Sequence, residues 1–147
     1  MSNAAKVRAI RKFASYITGE DVTIPRDRLD NNWNIIIQTA TPRLYIPKDL
    51  DYELDDGDIE FREDFIARCN IAVSFSDITL SILHECGHWM TRQYFNPEEY
   101  IAQLELATTM KEYMAIPCEY MATQWAIDWL KNNIDEAKKF EKEYFME

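Results

Sequence analysis

Hydrophobic positions in the first eighteen residues recur with a helical period. Val7, Ile10, Ala14 and Ile17 share one side of a wheel, and Gly19 follows as a C-terminal stop. This predicts an amphipathic helix over residues 4–18 that docks on the rest of the chain. From residue 33 the pattern changes. Ile35-Ile36-Ile37 and Leu44-Tyr45-Ile46, broken by Pro42 and Pro47, predict two short strands. Asp55-Asp56-Gly57-Asp58 carries turn chemistry, suited to closing a hairpin or to an exposed loop. Over residues 65–75, Phe65, Ala67, Cys69, Ile71, Val73 and Phe75 alternate with Ile66, Arg68, Asn70, Ala72 and Ser74. A period of two predicts a half-buried strand, either interior or at an edge that can pair with an extended peptide.

The remainder reads as helices. Ser76 or Asp77 caps one that runs to about Arg92. Asn96-Pro97-Glu98-Glu99 starts another, with Asn as cap and Pro at the first helical position, predicted through about Met114. Pro117 restarts the helix, which runs to about Asn132, and from Asp135 a charged tail keeps Phe140, Tyr144 and Phe145 as its apolar side. Strands first and helices last predict an α+β fold in a single domain over residues 1–147. It has an N-terminal helix, a small and mostly antiparallel sheet, and a helical C-terminal half. The chain has no internal repeat and no low-complexity linker.

Composition narrows the function classes. A 147-residue chain with 47% hydrophobic and 13% aromatic residues is long and apolar enough to bury a core. Its net charge of -10 disfavours nucleic acid as a partner. Lys6, Arg8, Arg11 and Lys12 lie at helical spacing and read as a solvated face rather than a basic patch. No apolar run approaches the roughly 18 residues that span a bilayer, and the N-terminus lacks the apolar core of a secretory signal. Cys69, Cys86 and Cys118 are odd in number and form no CxxC pair, which argues against a disulfide framework and for a reducing, cytoplasmic compartment.

The chemistry concentrates in His84-Glu85-Cys86-Gly87-His88. The chain's only two histidines are four residues apart, so on a helix both imidazoles reach one ion. Random placement gives that spacing in roughly 1.3% of arrangements, and a glutamate beside the first histidine lowers this to roughly one in a thousand. Glu85 can accept a proton from a water at the metal without occupying a ligand position. Ile78, Ile82, Cys86 and Trp89 fall on the opposite face and fix the helix in the core. Gly87 costs about 1 kcal/mol relative to Ala inside a helix. It is either merely tolerated or admits the close approach of another backbone.

A two-histidine zinc site needs a third protein ligand and an open position. With no third histidine, that ligand is a carboxylate or a thiolate. Cys86 is rotated about 200° from His84 and points into the core. Glu119 interrupts the apolar face of the helix after Pro117, with Ala122 and Ala126 beside it, small enough for close packing on the histidine helix. The alternative for Glu119 is a first-turn glutamate favoured by the helix dipole.

Together, His84-Glu85-Cys86-Gly87-His88 and Glu119-Tyr120-Met121-Ala122-Thr123-Gln124-Trp125-Ala126 resemble the ImmA/IrrE family of zincin-like metallopeptidases over residues 65 to 130. That family carries HExGH followed by E-x-x-A-(N/D)-x-(F/W)-A. The resemblance implies one zinc ion (Zn2+) held by His84, His88 and Glu119, with Glu85 as general base. It also implies a protein or peptide substrate of repressor type, in a bacterial or mobile-element setting. Thr123 stands where the family often has Asn or Asp, and its hydroxyl can make the same orienting hydrogen bond to a ligand. No helix-turn-helix or sensor segment is read in the sequence. Tyr94, Tyr100, Tyr113 and Tyr120 are potential oxyanion donors, none of them selected by sequence. The competing function is a zinc-binding interaction module without catalysis.

Overall fold

Ser2 Oγ accepts the Ala5 N–H and starts helix α1 (Asn3–Thr18), and Gly19 ends it in the left-handed region at φ 71°. These elements belong to a computed structural model that describes residues 2–26 and 32–146. Ile10, Phe13, Ala14 and Ile17 are buried, so the helical period at the N-terminus marks a docked face. Strands β1 (Asn34–Ile36) and β2 (Arg43–Tyr45) pair antiparallel, with Ile35 opposite Leu44. A parallel bridge from Thr23 to Arg43 extends the pairing on the β2 side.

Residues 65–75 form no strand. The carboxylate of Asp55 accepts the Asp58 N–H at 2.8 Å, and Asp58 returns a bond from the Asp55 N–H at 3.1 Å. This capping box turns the Asp55–Asp58 turn signal into the start of helix α2 (Asp56–Cys69). Within α2 the inward residues are Phe65 and Cys69, four apart, and Asn70 stops the helix at φ 49°. Ile71, Val73 and Phe75 follow in irregular backbone. Their alternation with polar residues was a coincidence of a helix end and a connecting segment.

Helix α3 (Asp77–Met90), capped by Ser76, runs through the middle of the molecule and packs on α1, β1, α2 and α6. Every residue from Ile78 to Gly87 is buried, so the histidine side is covered as well as the Ile82 and Cys86 side. A single 3-10 turn (Arg92–Tyr94) follows. The helix expected over 97–114 is two helices, α4 (Pro97–Leu106) and α5 (Met110–Ala115). Thr109 breaks it by taking an extended backbone and capping the Glu112 N–H with its hydroxyl. Helix α6 (Pro117–Asn132) has Pro at its first turn, as expected. Helix α7 (Ile134–Tyr144) returns to α1, where Phe140 stacks on Phe13 at 4.4 Å between ring centroids. Phe145, read as part of the apolar side, lies past the helix end and is 54% exposed.

The architecture is therefore mostly helical around one small antiparallel hairpin, compatible with an α+β class. One hydrophobic cluster joins α1, the hairpin, α3, α6 and α7. The three cysteines are free and buried. No helix among the described residues is long and apolar enough to cross a membrane.

The α3–α6 crossing is the tightest contact. A Cβ on Gly87 would lie 2.2 Å from the Ala122 carbonyl oxygen and 2.9 Å from its carbon, both backbone atoms of α6. Ala122 and Ala126 on the facing side are fully buried. Gly87 is thus required by close approach, not tolerated. A tolerated helical glycine gains about 1 kcal/mol on replacement by Ala. Gly87→Ala is expected to do the opposite and lower unfolding stability by about 2 kcal/mol, because the helices must separate. Denaturant unfolding gives the sign directly, and a stabilised variant would refute the packing account.

Candidate metal centre

Two helices supply the polar centre. Their spacing follows from helix geometry: His84 and His88 lie one turn apart on α3, with ring centroids 4.7 Å apart. On α6, Glu119 in the first turn and Thr123 one turn later share a face. The Gly87–Ala122 crossing lays this face against the histidines. Glu119 is 1% exposed, although a lone carboxylate is costly to bury.

Its partners account for that burial. Glu119 Oε1 lies 3.1 Å from His84 Nε2, and Oε2 lies 2.7 Å from His88 Nε2. Two ligands on a tetrahedral ion with bonds of about 2.0–2.1 Å sit about 3.3 Å apart, close to the His84 separation, while the His88 separation is that of a direct hydrogen bond. The opposite edges of the imidazoles are held too. His84 Nδ1 and the Thr123 hydroxyl are 2.8 Å apart, and His88 Nδ1 and Cys118 Sγ are 3.5 Å apart. When Nδ1 donates to the Thr123 oxygen, Nε2 turns a lone pair toward Glu119. Two imidazole nitrogens and a carboxylate converge here out of water, an arrangement that a proton shared between them or a cation would satisfy. The donor set and its spacing therefore fit a divalent ion: His84, His88 and Glu119, with Cys118 adjacent, sit close enough to bind one.

The local field is negative. Burial raises the Glu119 carboxyl, but hydrogen bonds from His84 and His88 outweigh this and hold it far below the usual carboxylate range. Burial lowers His88, yet contacts with Cys118 and Glu119 win and raise it well above an ordinary imidazole. Glu85 is pushed up, chiefly by burial. Were both imidazoles neutral, as metal ligands must be, the two carboxylates would leave a negative charge that one divalent cation would cancel.

Glu85 lies beside the histidines, its nearest ligand atom within 4.8 Å of theirs. Its Oε2 is 3.9 Å from His84 Nε2, while its Oε1 accepts the Ile35 N–H at 3.1 Å. That bond ties the acid to the outer edge of β1, the edge turned away from β2. The strand edge beside the centre is that of β1, and residues 65–75 offer none. Cys86 is fully buried on the far side of α3 and is no ligand.

Of the four tyrosines, two reach the centre. The Tyr100 hydroxyl donates to Glu119 Oε2 at 2.7 Å. Tyr113 lines a cleft of about 680 Å³ together with His84 and Glu85. Burial and the neighbouring Glu119 charge raise both phenols, so both stay protonated donors at neutral pH. Tyr94 is 65% exposed; Tyr120 is 51% exposed and stacks under the Arg68 guanidinium at 3.9 Å. Glu53, Asp55, Asp58 and Asp77 also line the cleft, and no Lys or Arg among the described residues does. Sequence reading missed Cys118 and the Ile35 N–H. Adjacency to Glu119 was the sole signal for Cys118, and a backbone donor leaves none.

Thr123→Val removes the hydroxyl and keeps the shape, leaving His84 free to swivel. Affinity for zinc, measured by competition with a chromogenic chelator, is expected to fall roughly 10- to 100-fold; unchanged affinity would deny the hydroxyl its orienting role. No protein-family model, curated protein or solved structure matches the chain, so the reading of this centre rests on its own geometry.

Proposed function

We propose that the chain is a zinc-dependent peptidase of zincin type, related to the ImmA/IrrE metallopeptidases, that hydrolyses a peptide bond in a repressor-type regulatory protein. One observation carries this reading: His84, His88 and Glu119 converge with Glu85 held beside them at the end of an open cleft. A divalent ion bound there supplies Lewis-acid polarisation of a carbonyl and makes a water more acidic. The two paired sequence motifs support the family assignment and the class of target.

The chain's own residues account for the proton movements. The Ile35 N–H fixes one oxygen of Glu85 and leaves the other facing the cleft. Burial makes Glu85 a stronger base than a solvated glutamate, suited to accept a proton from the attacking water. The same proton passes to the leaving amine as the C–N bond breaks, so a carboxylic acid and an amine result. Tyr100 holds Glu119, and Thr123 and Cys118 hold the imidazoles, so these three act as positioning residues. Tyr113 is the phenol assigned to the developing oxyanion, since it lines the cleft and stays protonated.

Glu85→Gln keeps the shape and the Ile35 bond but removes the base. Cleavage of a fluorogenic peptide by the zinc-loaded variant is expected to fall by about 10²- to 10⁴-fold, with zinc content unchanged. Equal turnover by both forms would contradict the assignment, and a wild-type chain that binds zinc yet hydrolyses nothing would favour an interaction module.

A further inference from the structure

Helix α4 starts firmly but is held to the molecule at few points. Asn96 accepts the Glu98 and Glu99 N–H groups and Pro97 sits in the first turn, so the start is well specified. Yet α4 buries none of its residues, and no other helix or strand packs broadly on it. Its inward side is Tyr100, Gln103 and Leu104, all only half-buried. Ile101 and Leu106 remain 55% and 78% exposed, so apolar burial does little to hold the helix down. Phe95 before it and Ala107 after it have extended backbone, which places a hinge at each end.

The hold that remains is one residue. Tyr100 donates to Glu119 Oε2 at 2.7 Å, with the Tyr113 phenol next to it. Among the described residues, no other α4 side chain makes a hydrogen bond or ion pair to another element. What the helix borders is the His88 side of the metal centre. A cavity of about 180 Å³ is lined by Asn96, Pro97, Tyr100 and Ile101 on one side and by His88 and Cys118 on the other, with residues 34–38 alongside. Cys118 is 4% exposed and the adjoining Glu119 1%, so α4 stands between solvent and these two side chains. A helix of 10 residues is marginal in water without support, so a segment released at Tyr100 would lift and lose its shape together. Opening then breaks one hydrogen bond and exposes little new surface, the profile of a local unit of low stability.

We propose that α4 is a lid over the His88 side of the centre, latched by Tyr100 on Glu119, and that it opens independently of the rest of the fold. The latch grips one of the three side chains assigned to the ion, so lid and centre are coupled. Lifting α4 takes a donor from Glu119 Oε2 and clears a route past His88 for an extended chain. That a peptide uses this route rests on the peptidase reading of the centre; the opening itself does not.

Thiol labelling reads the opening alone. Full-length protein is treated under native conditions with a dye-bearing maleimide too bulky for the cavity, and the modified cysteines are mapped by peptide mass spectrometry. Cys118 is expected to react at least roughly tenfold faster than Cys86, which is fully buried on the far side of α3 and reached only by global unfolding. Tyr100→Phe removes the latch hydroxyl and is expected to speed Cys118 labelling by about tenfold or more, the worth of a hydrogen bond to a charged group. Asn96→Ala removes the exposed helix cap, away from the latch, and is expected to speed it by about fivefold. Cys86 is expected to keep its rate in both variants. A Cys118 thiol that reacts no faster than Cys86, a rate that either substitution leaves unmoved, or an acceleration that Cys86 shares overturns the lid. Failure to cleave peptides, by contrast, would sink the peptidase reading and leave the labelling rates to decide the lid.

Discussion

The backbone of α6 passes over α3 at Gly87 with no room for a single methyl group, and the rest of the centre follows from that crossing. Helix packing normally keeps axes apart by the thickness of two side-chain layers. Here Gly87 on one side and Ala122 and Ala126 on the other remove both layers. The short gap lets side chains of only moderate length meet across it: Glu119 spans both histidines, Thr123 reaches His84 and Cys118 reaches His88. Moving α6 outward by the size of a methyl group would break several of these contacts together.

Close packing also determines the electrostatics. Drawing α6 onto α3 excludes water from two carboxylates and two imidazoles, and buried polar groups of this kind persist only when fully partnered. Most of the partners are visible: Tyr100 on Glu119, the Ile35 N–H on Glu85, and Thr123 and Cys118 on the outer imidazole nitrogens. What they leave is Glu119 set directly against both Nε2 atoms. With the imidazoles neutral, a divalent cation would take the place of those hydrogen bonds. The two flanking openings differ in kind: one is rich in carboxylates, and the other, beside His88, mixes Ile and Phe side chains with Asn34, Gln38 and Asn96.

Much of this was legible in the sequence because helix geometry translates spacing into position. The four-residue interval between His84 and His88, the Pro117 start, and an acid on an otherwise apolar face together named the donor set. Gly87 could be read as a close approach because its helical cost needed a reason. Other features left no such trace. Alternation over 65–75 imitated a strand since a one-turn inward face on α2 runs straight into an irregular apolar stretch, and the Asp55–Asp58 capping box that decides the matter reads equally as a turn. Selecting Tyr100 and Tyr113 from four tyrosines, or pairing Cys118 with His88, depends on how α4, α5 and α6 fold back over α3. Local pattern carries no such long-range information.

The central claim is that three side chains, two imidazoles and one carboxylate, hold the ion, with the cysteine beside them acting on a ligand and not on the metal. X-ray absorption at the zinc edge of the stoichiometrically loaded protein tests this most directly. A shell of nitrogen and oxygen scatterers at about 2.0–2.1 Å, including imidazole multiple scattering, with no sulfur at about 2.3 Å, is the predicted result. A sulfur shell, or a protein that retains no zinc to measure, would contradict it.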